Sequence, residues 1–214
     1  MDEKTKVQIL DLIHREVIPA IGCTEPIAVA LASAKAAEIL NKEVEQVDVL
    51  LSANILKNAM GVGIPGTGMV GLPIAIALGA LIGKSDYGLE VLRDLTPSAL
   101  EKGRRMVEGQ RIHVGLKEQV GKLYIEVVCR NGEESATAII AHEHTHFVYL
   151  AHNNEVLKDE RRQICKEGEE GESLQLSFDL VYDFAMNMPL DEIRFILETA
   201  QLNKKAAEES IKGQ

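Results

Sequence analysis

Leu123-Tyr124-Ile125-Glu126-Val127-Val128-Cys129-Arg130, then Asn131-Gly132-Glu133, then Ala136-Thr137-Ala138-Ile139-Ile140-Ala141: two β-rich runs flank an Asn-Gly turn. That order predicts an antiparallel hairpin, because Asn-Gly supplies the positive φ that a tight hairpin turn requires. Arg111 to Lys117 upstream, across Val120-Gly121-Lys122, and Phe147 to Ala151 downstream, beyond a His-rich segment, have the same character. Residues about 110–157 therefore read as an antiparallel meander.

Helices are expected on both sides of it. Val7, Ile9, Leu10, Ile13, Val17 and Ile18 recur at helical spacing from Lys6 to Ile18, where Pro19 ends the run. Ile27 to Leu40 is Ala-rich and apolar on most sides, so this helix, entered at Pro26, is expected to be buried between other elements. Val44 to Leu51 reads as a strand and Asn54 to Met60 as a short helix. An apolar helix enters near Pro73 and ends by Gly83, and Thr96-Pro97 opens a helix that ends at Gly109. After the meander, Ser173 is expected to cap Leu174 to Ala185, Pro189 opens Leu190 to Ala200, and Lys204 to Lys212 is helical in propensity. The predicted class is α+β: Ala/Gly-rich buried helices packed on an antiparallel meander, arranged as a helical region 1–109 with one strand, the β region, and helices over 173–212.

Composition bounds the function. The 214 residues are 46% hydrophobic but only 4% aromatic, without Trp, so Ala, Ile, Leu and Val must fill the core and helices can approach closely. Net charge is −10, which argues against nucleic acid as a partner. Met1 to Lys6 lacks a signal-peptide layout, and the longest near-apolar run, Met69 to Ile82, is shorter than the ~20 residues of a spanning helix. A cytoplasmic protein without a membrane partner is expected. The three cysteines, Cys23, Cys129 and Cys165, have unrelated spacings and suit reduced thiols. The run Glu167 to Glu172 reads as a solvated acidic loop.

Several segments carry candidate chemistry. Gly61 to Gly71 holds five glycines and Pro65 in eleven residues. It matches neither a dinucleotide fingerprint, since no strand directly precedes it, nor a P-loop, since no Gly-Lys-Ser/Thr follows. Backbone amides around Gly66-Thr67-Gly68 could hold an anion such as a substrate carboxylate; tight turns alone would need fewer glycines. Cys23 precedes the helix entered at Pro26, where the helix dipole should lower its pKa and make the thiolate accessible as a ligand or nucleophile. Cys129, in a strand, and Cys165 gain no such help and read as structural. On a strand, His142, His144 and His146 would share one face with the outer pair ~13 Å apart, too far for one ion with bonds of ~2.1 Å. A polar strand edge with one acid–base His is the expectation there.

Gly22-Cys23-Thr24-Glu25-Pro26, Asn54-Ile55-Leu56-Lys57-Asn58, Val62 to Pro73 and His144-Thr145 resemble the L-cysteine desulfidase family, related to the α chain of iron–sulfur L-serine dehydratases. The likeness runs on to Ile193-Arg194-Phe195-Ile196-Leu197. It implies a carbon–sulfur lyase converting L-cysteine to pyruvate, ammonia and sulfide with a [4Fe–4S] cluster, Cys23 being one cluster ligand. The family's other ligand cysteines lie in a C-terminal half with no counterpart in this sequence, so the chain resembles an N-terminal half that is inactive alone and lacks the cluster alone. The partners implied are a small amino acid and a C-terminal half or second subunit; self-association is a further expectation. Lys57, Asn58, Gly66, Thr67 and Gly68 would bind substrate, and His144 or Glu25 would handle a proton. Three alternatives stay open: an L-serine dehydratase-type ammonia-lyase, a non-enzymatic amino-acid-binding or assembly module, and a mononuclear metal enzyme built on His142 to His146.

Overall fold

A computed structural model describes residues 2–82, 84–161 and 174–213. Gly83 as a helix end, Cys165, the Glu167–Glu172 loop and the capping role assigned to Ser173 lie outside the described residues. The chain forms two compact units, divided after Pro19 at the N-terminal side: the first helix groups with the C-terminal helices, and Ala20 onward forms the other unit. Within the helical region 1–109, the first helix thus groups apart from the others.

The smaller unit contains α1 (Glu3–Glu16), α6 (Phe178–Asn187), α7 (Leu190–Ile193) and α8 (Ile196–Lys212). Asp2 caps α1 by accepting the Thr5 amide at 2.8 Å, which starts the helix earlier than its apolar periodicity suggests. Ile9, Phe184 and Met188 form its buried centre, with Leu10, Ile13, Leu180 and Ile193 around them. Ser177 caps α6, its hydroxyl accepting the Leu180 amide at 3.1 Å, so the helix begins at Phe178 rather than Leu174. The single helix expected over Leu190 to Ala200 is broken at Arg194-Phe195. There the Leu197 and Glu198 amides reach back only three residues, a tightened turn that separates α7 from α8.

The larger unit is built on a six-stranded sheet: β1 (Gln46–Leu51), β4 (Ile112–Leu116), β5 (Tyr124–Asn131), β6 (Glu134–Ala141), β7 (Phe147–His152) and β8 (Glu155–Asp159), ordered β4-β1-β5-β6-β7-β8. From β5 onward it is the predicted meander. Gly132, with φ of 54°, turns β5 into β6, and Asn153, with φ of 51°, turns β7 into β8. At the other end the expectation fails. β4 does not pair with β5; it pairs in parallel with β1, which is inserted between them and runs antiparallel to β5. Val120-Gly121-Lys122 is therefore a connection across β1, not a hairpin turn, and buried Ser52 fastens it by donating to the Lys122 carbonyl at 2.7 Å.

Alternation along β1 and β5 puts Val47, Val49, Leu51, Ile125, Val127 and Cys129 on one buried face, and α2 (Thr24–Leu40) lies on it. α2 is covered by sheet on one side and by α4 (Leu72–Ile82) on the other, which explains why Ile27 to Ala34 are buried around its whole circumference. As composition requires, the core is almost entirely Ala, Ile, Leu and Val. α5 (Pro97–Glu108) packs on α4 through Gly103, where a Cβ would come within 3.1 Å of Leu78 and 3.2 Å of Ile74. Thr96 caps α5 as predicted, accepting the Ala99 amide at 3.2 Å with Pro97 next in line. Thr96→Ala should cost about 1 kcal/mol in urea unfolding with an unchanged m-value, and Thr96→Ser should recover most of it.

Candidate functional site

The site is built where α2 begins. Cys23 is the N-cap residue, extended at φ −69°, but its side chain makes no cap bond. Instead its Sγ–H donates to Glu25 Oε2 at 3.0 Å. Thr24 Oγ1 donates to the same oxygen at 3.3 Å, and Asn58 Nδ2, from α3 (Ala53–Ala59), donates to Oε1 at 3.2 Å. Glu25 is thus the hub of three side-chain donors drawn from two helices. Ser52 begins α3 by accepting the Ile55 amide, and this fixes the helix that presents Asn58.

The electrostatics reverse one expectation. The thiol of Cys23 is pushed up, first by desolvation and then by the adjacent Glu25 carboxylate, rather than lowered by the helix N-terminus. The Glu25 carboxyl is held below the usual carboxylate range, chiefly by the Cys23 hydrogen bond. Burial of the thiol and, after it, the Glu25 carboxylate 3.0 Å away outweigh the partial positive charge of the helix N-terminus. The resting form is a thiol beside a carboxylate.

The glycine segment lies against this cluster. Gly22, at φ +91°, approaches Pro65 so closely that a Cβ would meet its Cγ at 2.9 Å. The segment is not an open loop: β2 (Gly63–Ile64) and β3 (Met69–Val70) form a small hairpin whose tip is Pro65-Gly66-Thr67-Gly68, with Gly66 and Gly68 at positive φ. Thr67 is buried. Its hydroxyl donates to the Ile64 carbonyl at 2.6 Å and accepts the Met69 amide at 2.9 Å, while its own amide bonds Ile64 at 3.2 Å. The anion cradle expected around Gly66-Thr67-Gly68 is therefore narrowed, because the Thr67 amide is committed inside the hairpin; the Gly66 and Gly68 amides are left. Arg104, from α5, donates to the Thr67 carbonyl at 3.3 Å and was not anticipated, since nothing in the sequence ties it to the hairpin.

The other candidates separate from this cluster. Lys57 is exposed and, among the described residues, makes no ion pair; neighbouring positions on a helix face about 100° apart, so Asn58 turns to Glu25 and Lys57 does not. His142 to His146 are not on a strand edge. They form the β6–β7 connection, entered through His142 at φ 71°, with the His146 amide bonded to the Glu143 carbonyl. The strand geometry expected for the three imidazoles is thereby corrected. His146 Nε2 lies 3.1 Å from Glu160, and half-buried His144 makes no hydrogen bond to Cys23, Glu25 or Asn58. Cys129 is a core residue as expected, its Sγ 3.8 Å from the Ser33 carbonyl and its pKa pushed up to about 12 by burial.

The chain is similar to a UPF0597 protein of Parabacteroides distasonis, 65% identical over all of this chain and 50% of the relative. A UPF0597 protein of Bacteroides fragilis is 64% identical with the same coverage, and one from Photobacterium profundum 40% identical over 95% of the chain and 48% of its own length. The chain thus spans about half the length of the curated relatives it matches. No protein-family profile matches it, and no solved structure does. No described helix is long and apolar enough to cross a membrane.

Proposed function

We propose that this chain is one half of a carbon–sulfur lyase of the L-cysteine desulfidase type, a cytoplasmic enzyme that splits L-cysteine with water into pyruvate, ammonia and sulfide. The observation that carries the reading is the Cys23–Glu25–Asn58 cluster set at the mouth of a buried helix against the glycine hairpin. A [4Fe–4S] cluster, when bound, would supply an open iron as Lewis acid toward the substrate. The donor set fits one ligand: Cys23 is part-exposed, whereas Cys129 is sealed under α2. Remaining ligands would come from the half of the protein that the relatives have and this chain does not span. Large apolar side chains left open on the C-terminal helices, such as Phe178 at 83% and Leu190 at 78% exposure, support a further polypeptide or second copy as partner.

Within this half, the Gly66 and Gly68 amides and the Lys57 ammonium, without an ion pair among the described residues, are the groups suited to a substrate carboxylate, with Asn58 committed to Glu25. Glu25 is ionised and, with its pKa lowered, is a weak base for a Cα proton; its role is to take the Cys23 proton when the thiol becomes a ligand. In a full-length relative, Cys23→Ala should abolish cluster absorbance after anaerobic reconstitution and sulfide release from L-cysteine. Full retention of iron and of sulfide release overturns the reading.

A further inference from the structure

The cleft at the far end of α5 belongs to none of this chemistry. It encloses about 320 Å³ over a floor of Val44, Leu81 and Met106, and its wall carries Lys102, Arg105 and Arg111 against a single acid, Glu43. In a chain with 33 acidic and 23 basic residues, a wall of three cations runs against composition. Lys102 and Arg111 form no ion pair among the described residues, and Arg105 reaches Glu101 only at 3.6 Å. Adjacent like charges repel, so an arrangement of this kind stands best with a counter-anion.

The backbone is bent to produce it. The Arg111 amide bonds the Met106 carbonyl and the Gln110 amide the Val107 carbonyl, the pair of bonds that folds a chain back over the last turn of a helix. The left-handed position of that motif, usually glycine, is Gln110 at φ 52°. Glycine stands one residue earlier, at Gly109, in a conformation open to any residue, φ −74° and ψ 4°. A Cβ there would lie 3.0 Å from the Arg105 carbonyl and 3.6 Å from Arg111 Nε. The turn thus returns Arg111 toward Arg105 and Lys102, which line the same cleft.

From this cleft we infer a second ligand site, one for a small dianion whose charged end is forked between the Arg105 and Arg111 guanidiniums with Lys102 beside them, and whose body rests on Val44, Leu81 and Met106. Phosphate esters and dicarboxylates share that chemistry, so inorganic phosphate and succinate are the probes. Titrating each into the isotope-labelled chain at low ionic strength should give saturable shifts at the Arg105 and Arg111 side-chain N–H signals at millimolar concentration. Saturation by phosphate alone assigns a phosphate ligand and by succinate alone a dicarboxylate. The double variant Lys102→Gln/Arg111→Gln should bind at least about tenfold more weakly. Without anion its melting temperature should equal or exceed that of the wild type, because repulsion is relieved, whereas cations serving only the helix end would leave the variant less stable. Failure of both probes to saturate, or undiminished binding by the double variant, overturns the site, and neither outcome touches the lyase reading.

Discussion

Gly79→Ala should destabilise the protein by about 3 kcal/mol or more, although alanine is the better helix former by roughly 1 kcal/mol. Gly79 lies inside α4, where propensity alone predicts that the substitution helps. It also lies where α4 crosses α2, and a Cβ would fall 2.2 Å from the Ala30 carbonyl oxygen and 2.8 Å from the Ala30 Cα. These are backbone atoms inside a helix that is buried on every side, so no rotamer change relieves the contact. Either the two helices separate, opening voids beneath Ile76 and Val29, or the α2 ladder distorts. Urea unfolding of Gly79→Ala should show a lower midpoint with an unchanged slope, and Gly79→Leu should give little folded protein. A stabilised Gly79→Ala would mean that α2 and α4 are farther apart than described. Because α2 carries Cys23 at its N-terminus, this crossing also fixes where the thiol sits.

The same crossing shows what the sequence could and could not disclose. An aromatic content of 4% required a core of small aliphatic residues, and the unbroken apolar circumference of Ile27 to Leu40 announced a helix buried between two layers. Caps such as Thr96-Pro97 and the Asn131-Gly132 turn act over a few residues, so they were legible. The parallel pairing of β4 with β1 was not. Its partner lies some sixty residues upstream, across α3, α4 and α5, and nothing in Ile112 to Leu116 distinguishes a strand beside β1 from one beside β5. His142 to His146 failed for a local reason: alternation suggests a strand, but His142 takes a left-handed conformation that ends β6 and folds the segment into a turn.

At the candidate site, residue types were legible and their couplings were not. Cys23, Glu25 and Asn58 stood out by their setting, yet the hydrogen bonds that join them depend on α3 meeting the start of α2, a tertiary contact. In sequence Thr67 stands between two glycines whose backbone amides suit an anion, and nothing there separates its amide from theirs. Its burial and its two hydroxyl bonds inside the hairpin make it instead a brace across the tip that carries Gly66 and Gly68.

Glu25→Gln should make Cys23 more reactive, an outcome opposite to that of losing a general base. In the wild type the thiol is raised by burial and by the Glu25 carboxylate, so at neutral pH alkylation by iodoacetamide is slow and climbs as pH rises past the ordinary thiol range. Glutamine preserves the size and an acceptor oxygen but removes the charge; the burial contribution stays, and the thiol falls back toward its ordinary value without passing below it. Each unit of pKa is 1.36 kcal/mol, so a fall of one unit would speed alkylation about tenfold at neutral pH, with the difference closing at high pH. Peptide mapping isolates Cys23 from the buried Cys129. The carboxylate's own contribution has the reverse sign in pH. Its folded pKa is depressed, so the stability it gives is present above the ordinary carboxylate range and is lost as pH falls through the folded value; Glu25→Gln should therefore flatten the acid limb of the stability profile. An alkylation rate unchanged by Glu25→Gln would show that burial alone raises the thiol and that the 3.0 Å contact carries no electrostatic weight. A faster rate in the variant, with cluster assembly in the full-length relative slowed by the same substitution, would make Glu25 the group that restrains the thiol until a ligand-accepting partner arrives and then takes up its proton.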